Sequence, residues 1–149
     1  MLNNFRSFFL VMISLFIVTV ATPALSADDA IFADYKYVLQ ISDMDPFKQE
    51  LILNNASNLL EAYPPGAVEV EIVAYGPGLR LLFAENVNAQ RIDSLFQSGV
   101  KFSACGVTLK GMTKQLGYEP KINPDAKVVS GGIVRIGDLV RKGYVYIRP

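Results

Sequence analysis

A chain of 149 residues with one cysteine, no histidine and no tryptophan is poor in the side chains that most often do chemistry. Without histidine there is no Ser-His-Asp triad and no Cys-His nucleophile. A lone cysteine cannot supply the clustered ligands of a zinc site, so neither a metal nor a cofactor is expected. It also forbids an internal disulfide, which leaves Cys105 buried, paired between chains, or reactive. Blocks of like charge are missing too, and 14 basic residues balance 14 acidic ones. That balance leaves no electrostatic footprint for nucleic acid or for an anionic membrane surface.

The one long apolar run is at the N-terminus. Arg6 precedes the stretch from Phe8 to Val20, Pro23 breaks it, and the small residues Ala24, Ser26 and Ala27 follow. This is the layout of an export signal over residues 1–27, with cleavage after Ser26 or Ala27. The run is short for a spanning helix, which needs about 20 apolar residues, so no stable membrane span is expected after cleavage. The expected location is the periplasm. Removal of residues 1–27 takes away only Arg6, leaving a near-neutral domain over residues 28–149.

The rest reads as strands alternating with helices. Tyr35 to Ser42 is β-rich, Asp45-Pro46 supplies an N-cap with proline at the first helical position, and Phe47, Leu51, Leu59 and Tyr63 recur at helical spacing together with Ile52, Ala56 and Leu60. Pro64-Pro65-Gly66 stops that helix. Val68 to Tyr75 is a second strand ended by Gly76-Pro77-Gly78. A helical region from Leu79 to Gln97 is interrupted near Asn86, with Asn88 capping its second piece and Ile92, Leu95 and Phe96 turned inward. Val100 to Ala104 is the third strand, Thr108 caps a short helix to Leu116, and Ala126 to Ser130 is the fourth. Gly131-Gly132 opens a helix with Ile133, Ile136, Leu139 and Val140 on one side, and Tyr144 to Ile147 is the fifth strand.

Strands separated by helices require crossover connections, and these imply a mainly parallel five-stranded sheet in a three-layer α/β/α domain covered on both faces. Ligands of such sheets bind beyond the carboxyl ends of the strands. The residues placed there are Ser42, Asp43 and Asp45 after the first strand, Gly76 and Gly78 after the second, Cys105, Gly106 and Thr108 after the third, and Ser130 to Gly132 after the fourth. Cys105 is the candidate catalytic residue, because a helix N-terminus with about half a positive charge favours a thiolate, and the thiolate is the nucleophile. Gly106, Thr108, Asp43, Gly76 and Gly78 are the candidate binding residues around it. Asp43 and Asp45 are a candidate carboxylate pair beside Cys105; the plainer reading is that Asp45 caps its helix and Asp43 solvates the loop. For the glycines the plainer reading is turn duty, and for Cys105 it is a small buried hydrophobe.

The segments VEIVAYGPGLRLLF and GVKFSACGVTL, preceded by KQELILNNASNLLEA and followed by GGIVRIGDLVRKGYVYIRP, resemble the DsrE/DsrF-like family, which is associated with sulfur relay and intracellular sulfur oxidation. The resemblance covers nearly the whole domain, and the chain carries Val107-Thr108 where the family often has Asn-Thr. It implies a compact α/β/α subunit assembling into homo-oligomers, trimers or hexamers. It also implies that Cys105, the cysteine of the F-x-A-C segment, takes sulfur as a persulfide from a donor protein and passes it to an acceptor. Such a protein is a sulfur-transferase-like carrier rather than a turnover enzyme. The alternative is a non-catalytic oligomeric module that binds a small ligand or protein partner with Cys105 merely packed.

Overall fold

The structure, a computed structural model, describes residues 33–149; the predicted export segment, residues 1–27, lies outside them. Five strands, β1 (Tyr35–Ile41), β2 (Val68–Ala74), β3 (Lys101–Cys105), β4 (Ala126–Val129) and β5 (Val145–Ile147), form one sheet in the order β4-β3-β2-β1-β5. Every pairing is parallel. The helices between them are α1 (Pro46–Ala62), α2 (Ala89–Gln97), α3 (Gly106–Leu116) and α4 (Gly132–Arg141), with a 3-10 turn at Gly76–Leu82. The expected α/β architecture with a parallel five-stranded sheet is the observed one.

Strand order decides how the layers are filled. Passing from β1 to β2, β3 and β4, the chain steps one strand at a time in the same direction, so right-handed crossovers put every connection on one face of the sheet. From β4 it returns across the sheet to β5 beside β1, and the same handedness places α4 on the opposite face. The first face is accordingly thick. Leu39, Ile41, Val70, Ile72, Ala74, Phe102 and Ala104 of the sheet pack there against Ile52, Leu53 and Ala56 of α1, Leu79, Leu81 and Leu82 of the 3-10 turn, Ile92 and Leu95 of α2, and Leu109 of α3. The second face holds a small cluster, Val38 and Val73 with Ile136 and Leu139 of α4 and Tyr144. Both faces are covered, but the second by a single helix.

Several helix faces differ from the periodic reading. In α1 the buried residues are Gln49, Ile52, Leu53 and Ala56, while Phe47 at its first turn is 82% exposed and Leu51 is exposed as well. The helix carries apolar residues on more than one side, so spacing alone does not choose the face that meets the sheet. Phe96, Ile133 and Val140 also point outward, leaving Ile92 and Leu95 in α2 and Ile136 and Leu139 in α4 as the inward apolar side chains. The Leu79 region is a 3-10 turn because Gly76-Pro77-Gly78 packs tightly under the end of β1: a Cβ at Gly78 would lie 2.5 Å from the Ile41 carbonyl oxygen. Asp45 is the N-cap of α1, its carboxylate accepting from the Phe47 amide at 2.9 Å, whereas the side chain of Asn88 makes no cap bond. Among the described residues no helix is long and apolar enough to cross a membrane.

Candidate functional site

β3 and β4 are neighbours whose connections leave in opposite directions, β3 into α3 over the first face and β4 into α4 over the second. Adjacent loops that diverge in this way open a crevice beyond the strand ends. Cys105, the last residue of β3, stands where the two connections diverge. Register puts Cys105 beside Val129 at the end of β4, and its side chain points toward the second face, as those of Lys101 and Ser103 do.

Two helix N-termini meet at its sulfur. Cys105 is itself the N-cap of α3, and Sγ accepts from the Thr108 amide at 3.5 Å. Across the sheet, Sγ also accepts from the Gly132 amide at 3.1 Å. Gly132 is the first residue of α4, and the N-cap of that helix, Gly131, has no side chain with which to cap it. One sulfur atom therefore caps both helices. Thr108 adds a third donor: its Oγ1 accepts from the Gly76 amide at 2.9 Å, which leaves its hydroxyl proton for Cys105. Burial pushes the Cys105 thiol up, but the Thr108 hydroxyl and the amides of Thr108, Gly132 and Val107 outweigh it and hold the thiol below its ordinary value. The direction is the one expected of a thiolate held against amide dipoles.

Close packing makes this geometry possible. A Cβ at Gly132 would stand 3.0 Å from Cβ of Tyr75 and 3.3 Å from Cβ of Cys105, and one at Gly106 would stand 2.8 Å from the Val129 carbonyl oxygen. Only glycine lets α4 start this near the sulfur. Cys105 is 5% exposed, and the exposed side chains of Val107 and Val134 flank the neighbouring Gly131. The thiol lies just beneath the surface, under an apolar rim.

Of the expected binding residues, Thr108, Gly106 and Gly76 join the site directly. Thr108 does so as a hydroxyl donor rather than as the helix cap, since the cap is Cys105. Gly78 belongs to the packed turn below β1 and keeps turn duty. Asp43 is engaged elsewhere, its carboxylate paired with Lys48 at 2.6 Å and accepting from the Asp45 amide at 3.0 Å. The Lys48 ammonium and the Asp45 amide hold its carboxyl below the usual range. Asp45 is used as a cap, and neither carboxylate bonds to Cys105, so the carboxylate pair is not realised.

What sequence reasoning missed lies on the second face. Glu71, in the middle of β2, is 1% exposed and binds Arg135 of α4 through both oxygens, Nε to Oε1 at 2.7 Å and Nη2 to Oε2 at 2.6 Å. Oε1 also accepts from Ser103 at 2.6 Å. Beside it Tyr144 donates to Glu69 at 2.5 Å, Lys101 pairs with Glu69 at 2.9 Å, and Tyr146 donates to the buried Gln40. The signal available in the sequence was Glu71 inside an otherwise apolar strand end and Arg135 between Val134 and Ile136.

A cleft of about 420 Å³ borders the site on the other side of Thr108, lined by Met44, Gly76, Pro77, Arg80 and Met112 among others. A larger one, about 650 Å³, opens at the amino-terminal ends of β2 and β3 around Pro64, Gly66 and Gly99, away from the sulfur. Gly76 and Thr108 line the smaller cleft, whereas none of the residues bonded to the sulfur lines the larger one. No group of three His, Cys, Asp or Glu suited to a metal ion occurs among the described residues.

The chain matches no family model and no curated protein. Among solved structures it is similar to a protein of unknown function from Methanobacterium thermoautotrophicum, at 30% identity and a TM-score of 0.71 over 78% of this chain and 100% of that one. It is also similar to a conserved protein of unknown function from Bacteroides thetaiotaomicron, at 15% identity and a TM-score of 0.53 over 78% of this chain and 97% of that one. The second likeness is one of fold.

Proposed function

We propose that this chain, which belongs to the same family as the Methanobacterium protein, is a sulfur carrier that works through Cys105. The observation that carries the reading is the double cap: one thiol, the only one in the chain, accepts from first-turn amides of two helices, Thr108 of α3 and Gly132 of α4, and from the Thr108 hydroxyl. The resemblance of the FSAC segment and its surroundings to DsrE/DsrF-like proteins supports the same reading. In the transfer step the Cys105 thiolate attacks the outer sulfur of a donor persulfide. The donor's S–S bond breaks as the new one forms, the donor leaves as its thiolate, and the proton stays with the transferred sulfur, so no oxidant is needed. With no second cysteine in the chain, no internal disulfide can displace the acquired sulfur, and it waits for an acceptor. The export layout of residues 1–27 supports the periplasm as the place of this work. The exposed Ile133, Val134 and Val145 are apolar surface in keeping with a homo-oligomer.

Incubation with a glutathione persulfide or with inorganic polysulfide, followed by intact-mass measurement, tests the reading. One sulfur atom is expected on Cys105 and none on the Cys105→Ser variant. If a small alkylating agent labels Cys105 fully while no sulfur is ever acquired, the reading fails. A second reading has its own support. Cys105 is 5% exposed and caps two helices, which suits a purely structural sulfur in a binding module. That reading predicts a thiol inert to both reagents in the folded protein.

A further inference from the structure

We propose that the Glu71–Arg135 ion pair is the positioning element of the Cys105 site: it fixes the first turn of α4 so that the Gly132 amide stays on the sulfur. The inference rests on the reading of Cys105 as a reactive thiolate and concerns how that state is maintained. Neither side chain bonds to the sulfur. Both act through the elements that do.

Arg135 lies one turn into α4 from Gly132, and its own amide closes that turn on the Gly131 carbonyl at 2.9 Å. Its guanidinium grips Glu71 through both carboxylate oxygens. Ser103, two residues before Cys105 on the same side of β3, donates to the same Glu71 oxygen as Arg135 Nε. One carboxylate thus ties the strand that presents the sulfur to the helix that presents the amide, with β2 between them.

α4 also packs on the sheet through the apolar side chains of Ile136 and Leu139, which resist separation but set direction weakly. A two-pronged guanidinium–carboxylate pair fixes orientation as well as distance. Buried ion pairs are poor devices for stability, because desolvation offsets the attraction, and their best-attested service is to set register. Glu71, 1% exposed on an otherwise lightly covered face, matches that service. The donor it keeps in place has a distance to hold, 3.1 Å from Gly132 to Sγ, and no side-chain cap to hold it by.

The test uses two variants. E71L/R135L removes both charges together, leaving no orphaned ion and changing the local net charge little, so it is expected to fold. R135K keeps the charge but loses the two-pronged geometry. The readouts are the Cys105 thiol pKa, from the pH dependence of iodoacetamide alkylation, and the amide shift of Gly132 across the same titration. In the wild type the Gly132 shift follows Cys105 ionisation. In both variants the thiol pKa rises, alkylation at neutral pH slows about three- to tenfold, and the Gly132 amide no longer follows the titration. Folded variants with wild-type pKa and wild-type Gly132 response overturn the positioning role and leave the carrier reading intact. An ordinary, unacidified thiol in the wild type overturns the reading of Cys105 itself, and the inference with it.

Discussion

The two faces of the sheet solve different problems with the same strands. On the first, alternate residues of β1, β2 and β3 are Leu39, Ile41, Val70, Ile72, Ala74, Phe102 and Ala104, all buried among apolar side chains from three connections. On the second, the intervening residues include Gln40, Glu71, Ser103 and Cys105, all buried and polar or polarisable, beneath one helix. Non-directional packing suffices where many elements converge, because a side chain can relax against several neighbours. A single helix over a polar face has to be placed by bonds with direction, and those bonds end at the sulfur.

The sharpest way to break the contrast is to damage the first face and leave the second alone. Ile72→Ala should lower the unfolding free energy by about 3 to 4 kcal/mol through lost burial and a cavity, read by urea denaturation. The alkylation rate of Cys105 in the folded protein should stay unchanged. Next in size, Arg135→Met strands the Glu71 carboxylate with only Ser103 and should cost about 2 to 4 kcal/mol, most of it recovered in Glu71→Leu/Arg135→Met. That recovery, measured in the same melts, makes the second face apolar like the first and tests whether charge there serves placement rather than stability.

Gly132→Ala should cost about 1 to 2 kcal/mol, because the new methyl meets Tyr75 and Cys105 at contact distances shorter than side chains normally accept. It should also slow Cys105 alkylation at neutral pH, since α4 must move off the sulfur. Thr108→Val removes a hydroxyl that serves Gly76 and Cys105 at once. The expected loss is about 1 kcal/mol, with a raised thiol pKa in the alkylation profile.

The smallest effect is one of pH. The folded protein holds the Cys105 thiol below its ordinary value, so the unfolded chain binds the proton more tightly than the native one. The thiolate's contribution is fully present above the unfolded thiol pKa, about 8.5, and is lost as pH falls through the lower folded value. The stability difference between wild type and Cys105→Ser should therefore grow as pH rises across that interval. A flat difference across it would mean that the amides at Gly132 and Thr108 do not favour the thiolate.

Much of this was legible beforehand, for reasons specific to the residues concerned. Asp45-Pro46, the Pro64-Pro65-Gly66 stop and the glycines at 117 and 143 mark helix ends by local backbone chemistry, and the ends fall where those residues stand. Cys105 reads as a strand-end residue before a helix, and it is the last residue of β3 and the cap of α3. Helix faces were less legible: Phe47 and Leu51 fit a helical period as well as Ile52 and Leu53 do, and the sheet selects between them. The sequence offers Thr108 as the cap of α3, but the cap is Cys105, whose sulfur accepts the Thr108 amide.

Local chemistry is enough for the alternation of strands and helices, the parallel sheet that alternation requires, and the position of the single thiol at a strand end, since each depends on neighbours within a few residues. Long-range packing is what carries α4 across the opposite face, brings Gly132 to a sulfur 27 residues away in the chain, and joins Glu71 to Arg135 64 residues away. Those contacts depend on the order of strands in the sheet and the handedness of the return from β4 to β5, which no local pattern encodes.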